Sequence, residues 1–310
     1  MKKALITGMS GFVGHYLKMA LELKGYLVYG TCLPGEAYEK FPQYYAMNLL
    51  DNEQVISVIK DCQPDEIYHL AGQSSVALSW SKPALTMDIN VNGTINLLEA
   101  IKEFCPNTKV LIVGSSDEYG PVKKEDCPIN EEHPLNPVSP YGISKMTQEK
   151  IAQIYAKAYG LNVVMVRPFN HIGAMQAKGF VVSDFASKVA AIEKGEIEPV
   201  LKVGNLHSYR DFTDVEDVVE AYTLLLDKGV SGEVYNVGSG KAVEIQEVLN
   251  AFVDMSNKHI TVEIDEKLYR PVDVPLVVCD NTKLKQVTGW EPKKELRNTL
   301  LGILNYWRNN

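Results

Sequence analysis

Nowhere in the 310 residues does an apolar run approach the roughly 20 positions that a membrane-crossing helix needs. The opening Met1-Lys2-Lys3 carries positive charge, yet the apolar run behind it, Ala4 to Thr7, is cut at once by Gly8, Ser10 and Gly11. That is too short for the core of a secretion signal. Cysteine is scarce: Cys32, Cys62, Cys105, Cys127 and Cys279 are odd in number, widely spaced and in no CxxC or Cys/His pattern. This argues against a disulfide framework and against a zinc or other metal site, and it points to free thiols in a reducing cytoplasm. Positive charge is in deficit. Lys plus Arg number 31 against 39 Asp plus Glu, a net charge of −8, so no basic excess serves nucleic acid or an anionic membrane. An anionic small molecule held by a few placed arginines stays compatible with that balance. Internal repeats and low-complexity segments are also lacking.

What is present is an ordinary globular composition, 45% hydrophobic and 23% charged, in a chain long enough for about two domains of roughly 150 residues. Short apolar runs at 4–7, 27–29, 66–70, 110–113 and 163–166 alternate with helical patterns at about 12–24, 53–60, 84–104 and 141–159. Such alternation predicts βαβ units and an α/β fold, a Rossmann-type doubly wound parallel sheet covered on both faces. After Pro168 the texture loosens, punctuated by Pro199, Pro271, Pro275 and Pro292, and regular alternation returns at 213–226 and 234–237. The expected division is a dinucleotide-binding domain over 1–168, with a segment near 209–238 crossing back. A smaller C-terminal α/β part, 169–208 and 239–310, is left for the substrate.

The turn Thr7-Gly8-Met9-Ser10-Gly11-Phe12-Val13-Gly14 lies between the first strand and the first helix. A pyrophosphate needs a tight turn, a backbone without Cβ where it approaches, and free N–H groups at a helix start. Gly8, Gly11 and Gly14 meet these needs, with Phe12 and Val13 opening the helix. The end of the second strand, Tyr29-Gly30-Thr31-Cys32-Leu33, has neither the acid that takes an NAD ribose nor an arginine for a cofactor phosphate. The choice between NAD(H) and NADP(H) is therefore open. Asn48, ahead of Leu49, is a candidate for the adenine edge.

Tyr141 and Lys145 stand at i and i+4, on one helix face. About one such pair is expected by chance, so context must carry it. The strand at 110–113 ends in Gly114-Ser115-Ser116, at the sheet edge where ligands sit, and Asn136-Pro-Val-Ser-Pro140 leads into Tyr141. A phenol with an ordinary pKa near ~10 exchanges protons at neutrality if lowered by ~3 units, about 4 kcal/mol. Lys145 and an oxidised nicotinamide ring are expected to supply that jointly, while Ser115 holds the substrate oxygen against the phenol.

Together these residues resemble the extended short-chain dehydrogenase/reductase family over nearly the whole chain. Stretches similar to its GDP-sugar branch of 4-keto-6-deoxymannose reductases and mannose 4,6-dehydratases are Gly114-Ser-Ser-Asp-Glu-Tyr-Gly120, Arg167-Pro-Phe-Asn-His-Ile-Gly173 and Gly179-Phe-Val-Val-Ser-Asp-Phe185. Val203-Gly-Asn-Leu206, Arg210-Asp-Phe-Thr-Asp-Val215 and Arg270-Pro-Val-Asp-Val274 complete the set. The family pattern Asn-His-Ile-Gly-Pro-Gly-Gln reads Gly173-Ala174-Met175-Gln176 here, and Asp117 stands where close relatives carry Glu.

The resemblance implies that Leu70 and Ala71 line the cofactor. It implies substrate contacts from Ser74, Ser116, Asn170, Phe180, Val181, Lys188, Arg210, Arg270 and Asp273, with the arginines on the diphosphate. The implied reaction is reduction of the C4 ketone of a GDP-4-keto-6-deoxyhexose by NAD(P)H, with Tyr141 as proton donor and GDP-D-rhamnose as product. Rival readings are a 4,6-dehydratase with Asp117 as acid/base, a 4-epimerase, and a non-catalytic nucleotide-binding redox sensor. The intact Ser–Tyr–Lys set counts against the last. The resemblance also implies a homodimer joined through the helices at 84–104 and 141–159.

Overall fold

The apolar runs become strands and the amphipathic segments between them helices. In chain order the first half holds β1 (Lys3–Thr7), α1 (Phe12–Leu23), β2 (Leu27–Cys32), β3 (Tyr44–Ala46), α2 (Asn52–Cys62) and β4 (Glu66–His69). It continues with α3 (Val76–Ser81), α4 (Pro83–Met87), α5 (Gly93–Phe104), β5 (Lys109–Val113), α6 (Pro140–Tyr159) and β6 (Asn162–Pro168). The second half runs through β7 (Asn170–Ile172), α7 (Val181–Lys194), β8 (Val200–Val203), β9 (Tyr209–Asp214), α8 (Val215–Lys228) and β10 (Val234–Val237). Last come β11 (Ala242–Glu244), α9 (Ile245–Met255), β12 (Thr261–Ile264), β13 (Leu276–Val277), α10 (Thr282–Thr288) and α11 (Leu296–Asn309). This computed structural model describes residues 1–36, 38, 41–268 and 274–310.

Seven strands form one sheet in the order β3-β2-β1-β4-β5-β6-β10, every neighbouring pair parallel. This is the doubly wound sheet that the alternation predicts. Its central strands are buried on both faces, which is why they read as unbroken apolar runs. Successive residues serve opposite cores: Ala4, Ile6 and Tyr68 face a cluster with Leu17 and Leu21 of α1, Val218 and Tyr222 of α8 and Leu284 of α10. Leu5 and Ile67 face Val55 and Ile59 of α2, Leu97 and Ile101 of α5 and Ala152 of α6. Burying each such side chain is worth about 1.5–3 kcal/mol. The strand order reverses between β1 and β4, and the diverging chain opens a crevice at their carboxyl ends.

The segment from α8 to β10 returns to this sheet, β10 pairing with β6. Around it β9 pairs with β7, β11 and β13 in a small second sheet, and β12 pairs with β8. A third apolar cluster joins Phe185 and Val189 of α7, Leu249 and Phe252 of α9, and Leu300 and Ile303 of α11.

The helical pattern read over 84–104 is not one regular helix. A π-type turn at Asp88–Asn92 separates α4 from α5. Its extra residue lets buried Asn90 aim inward, where its Oδ1 accepts from Gln73 N at 2.8 Å and its Nδ2 donates to Gln73 O at 3.0 Å. β3 lies outside the apolar runs read from the sequence; three residues are too few for a periodic signal.

Candidate active site

The glycine turn is as tight as its spacing requires. Gly8 has φ of +70°, and a Cβ there would lie 2.9 Å from Ala71 Cα. A Cβ at Gly14 would lie 2.7 Å from the Met9 backbone, so α1 docks only because it is absent. At Gly11 an added Cβ would meet a single atom within 4 Å, Gly8 O at 3.3 Å. Gly11 caps α1 without a side-chain bond, which leaves first-turn N–H groups to a ligand. The turn thus fits a dinucleotide pyrophosphate. It is tied to the end of β2 by Gly8 N to Thr31 Oγ1 at 3.1 Å and Met9 N to Thr31 O at 3.1 Å.

Phe12 is committed to packing: its ring stacks on His171, centroids 6.1 Å apart, and meets Tyr16 edge-on at 5.7 Å. Its backbone, not its side chain, is what faces a phosphate. Val13 packs half-buried in the same core. Across the crevice, Leu70 and Ala71 follow β4, and Ala71 N donates to Thr7 Oγ1 at 3.2 Å. Behind them His69 bridges Thr7 Oγ1 at 2.8 Å and Thr94 Oγ1 at 3.0 Å; burial pushes it down to about 3, so it stays neutral. Asn48 is exposed in a turn, its Oδ1 accepting from Leu50 N at 3.0 Å, while Leu49 is buried beside Gly93.

Ser115 follows β5 and caps a 3-10 turn, Ser116–Glu118, its Oγ accepting from Asp117 N at 3.1 Å. Tyr141 enters from α6, which starts there because Ser139 Oγ accepts from Gly142 N at 3.0 Å and Pro140 suits a first turn. The Tyr141 phenol lies close enough to the Ser115 side chain for that hydroxyl to act on its proton. One turn on, Lys145 is buried with Nζ donating to Val113 O at 2.8 Å and Gln148 Oε1 at 3.0 Å. Serine, tyrosine and lysine therefore meet at the carboxyl edge of the sheet. Ser116 is half-buried, and exposed Asp117 brings Oδ2 to 3.4 Å from Ser115 Oγ.

The electrostatics differ from the expectation. Burial first, and then the Asp117 carboxylate, push the Tyr141 phenol up, against the pull of the Ser115 hydroxyl. Lys145 gives its ammonium N–H groups to Val113 and Gln148, and burial brings it down to about 8. The protein's own residues thus keep the phenol protonated, the form a proton donor needs.

Several residues of the site escape sequence reasoning. Gln148 also donates to Thr94 Oγ1 at 2.7 Å, and Asn90 Nδ2 to Ser144 Oγ at 2.9 Å. For Gln148 a signal existed, its place three positions after Lys145; Asn90 has none. Beneath Ser115, Arg167 holds Glu149 through two bonds of 2.7 Å, Nε to Oε2 and Nη2 to Oε1. A second buried acid, Glu118, accepts from Ser115 N at 2.8 Å, while its Oε2 lies 3.5 Å from Arg167 Nε and meets no hydrogen-bond donor among the described residues.

Of the substrate candidates, Ser74 and Asn170 are exposed. Phe180 caps α7 and is exposed, Val181 is its first residue, and Lys188 is half-buried farther along. Arg210 on β9 donates Nη1 to Tyr209 O at 2.8 Å and Val274 O at 2.7 Å. Its neighbour Asp211 anchors the strand, accepting from Ser239 N, Gly240 N and Cys279 N at 2.8–3.1 Å. Arg270 and Asp273 lie outside the described residues. In the altered stretch, Met175 keeps a φ of +69°, the left-handed backbone that the family's glycine suits.

A family profile described as GDP-mannose 4,6 dehydratase matches residues 5–301. The chain belongs to the GDP-mannose 4,6 dehydratase family. Within that family it is 32% identical over 308 residues to the GDP-6-deoxy-D-mannose reductase of Pseudomonas aeruginosa, covering 99% of this chain and 98% of that one. It is 30% identical to a GDP-mannose 4,6-dehydratase of Yersinia enterocolitica, covering 94% and 90%. Among solved structures, RMD from Pseudomonas aeruginosa complexed with NADPH superposes with a TM-score of 0.89 at 32% identity, over 100% of this chain and 99% of that one. The UDP-glucose 4-epimerase of Thermus thermophilus complexed with NAD gives 0.86 at 29%, over 99% of each. The resemblance read from the motifs is borne out, and its relatives divide between the two nicotinamide cofactors.

Proposed function

We propose that this protein reduces the C4 ketone of a GDP-4-keto-6-deoxyhexose with NAD(P)H, giving GDP-D-rhamnose. The observation that carries the reading is the meeting of buried Ser115, Tyr141 and Lys145 at the sheet's carboxyl edge, with Lys145 tied to the end of β5 through Val113 O. The match to a reductase along almost the whole of both chains favours reduction over dehydration.

NAD(P)H, when bound, supplies the hydride that C4 receives. Gly8, Gly11 and Gly14 with the N–H groups of Phe12 and Val13 hold the pyrophosphate, and Leu70, Ala71, Asn48 and Leu49 line the rest. As charge grows on the ketone oxygen, Tyr141 donates its proton there and Ser115 hydrogen-bonds the same oxygen, so ketone, hydride and proton make one alcohol. Lys145, with a pKa of about 8, is suited to hold the nicotinamide ribose and to pass a proton back to the phenolate. The sugar nucleotide falls to Ser74, Ser116, Asn170, Phe180, Val181, Lys188, Arg210, Arg270 and Asp273. On this reading residues 1–168 and 209–238 carry the cofactor, and 169–208 and 239–310 the sugar nucleotide. A homodimer is part of the proposal: Leu85, Ile143, Ile154 and Tyr159 leave apolar surface exposed on α4 and α6. A monomer mass at micromolar concentration counts against it.

The test offers the purified protein GDP-4-keto-6-deoxymannose with NADH or NADPH and follows loss of the reduced nicotinamide absorbance. Consumption is expected, with a GDP-6-deoxyhexose as product. Incubation with GDP-mannose and catalytic NAD(P)⁺ is expected to yield no ketone. Ketone formation there makes the protein a dehydratase, with Asp117 as its acid/base.

A further inference from the structure

The second strand ends without an acid or an arginine, but the chain beyond it brings one back. The turn after β2 reverses so that Glu36 Oε2 accepts from Ser10 Oγ at 3.0 Å and from Leu33 N at 3.3 Å. Ser10 belongs to the glycine turn, and Leu33 directly follows β2. A half-buried acid therefore sits on the lip of the crevice, where the first two strands end side by side, in register through Ile6 and Gly30. Among the described residues, neither of these two partners is a cation. Glu36 stands 22 positions after Gly14. In sheets of this kind an acid about 20 residues past the turn takes the adenosine ribose hydroxyls, and an arginine is used where that ribose carries a 2′-phosphate.

We propose that Glu36 selects the nicotinamide cofactor that lacks a 2′-phosphate. The proposal rests on the cofactor site of the preceding section and separates this chain from the relative whose structure holds NADPH. A carboxylate accepts hydrogen bonds from both hydroxyls of a vicinal diol. It meets a 2′-phosphate as like charge against like charge, with no donor to offer. Its tie to Ser10 keeps it from swinging away, because the hydroxyl that holds it is part of the turn that holds the pyrophosphate.

Binding tests this without turnover. The full-length protein is titrated with NADH and separately with NADPH by calorimetry, at low and at high salt. Like-charge opposition across a contact costs several kcal/mol, so NADH is expected to bind at least ~10-fold more tightly at low salt. Salt is expected to narrow that ratio through screening. Glu36→Gln keeps the shape and removes the charge; its NADPH affinity is expected to rise toward that for NADH and to lose its salt dependence relative to NADH. Equal or tighter NADPH binding by the unaltered protein overturns the proposal. A ratio unchanged in Glu36→Gln overturns it as well. Binding of neither nucleotide overturns the cofactor site itself, a separate failure that takes this proposal with it.

Discussion

Replacing Glu118 by Gln tests how the platform under Ser115 is charged. Two buried acids, Glu118 and Glu149, share one guanidinium, and Arg167 gives Glu149 both of its paired bonds. Glu118 keeps only a 3.5 Å approach to Nε. Burial, and then the charge on Glu149, push the Glu118 carboxyl well above the usual carboxylate range, against the pull of Arg167. It therefore holds its proton to higher pH in the fold than in the unfolded chain, while accepting from Ser115 N. With its pKa raised in the folded state, Glu118 contributes fully below its unfolded value. That contribution is lost as pH rises toward the raised one, because the unfolded chain releases the proton first. The loss is roughly 1 kcal/mol per pH unit within that window. Glutamine keeps an acceptor for Ser115 N, offers an N–H toward Glu149 and does not titrate. The assay is thermal unfolding of both proteins from about pH 5 to about pH 8, where about 2 °C corresponds to 1 kcal/mol at this chain length. The midpoint of Glu118→Gln, relative to the parent, is expected to climb with pH across that range. Parallel curves refute the reasoning, for they mean that Glu118 is ionised in the fold.

Two further substitutions probe the site and its neighbourhood. Tyr141→Phe removes the proton donor, and turnover is expected to fall at least ~100-fold with nucleotide binding retained by calorimetry; undiminished turnover rejects the role. Met175→Gly relieves a left-handed backbone that costs a non-glycine residue about 1–2 kcal/mol, partly offset by the freedom glycine adds to the unfolded chain. Met175 is 41% exposed, so little packing is lost, and a small rise in the thermal midpoint is expected. A lower midpoint contradicts the strain argument.

The alternation of short apolar runs with amphipathic helices was legible because the central strands of the large sheet are buried on both faces and the helices that cover it on one. The glycine turn was legible from its spacing between a strand and a helix; Gly14 is crowded by its own turn, whereas the contact that crowds Gly8 comes from Ala71 after β4. Tyr141 and Lys145 reveal themselves by one helical turn of spacing. Asn90 was hidden because only its remote partners, Gln73 and Ser144, draw it inward through the π-type turn. Arg210 was read as a cation for a diphosphate, whereas only the fold brings the Val274 carbonyl to its guanidinium.

By itself, then, the sequence determined the parallel α/β scaffold, the glycine turn and the Tyr141–Lys145 pair, since periodicity and short spacings act within a segment, while the fold brought Ser115 to them. Tertiary structure alone decided that Glu36 reaches Ser10, 26 positions away, that Thr7 meets His69 across 62, and that Glu118 is left without a cation of its own. Those contacts depend on which strands become neighbours in the sheet. Burial then sets the charge of the acids and of Lys145, and burial belongs to the folded chain as a whole.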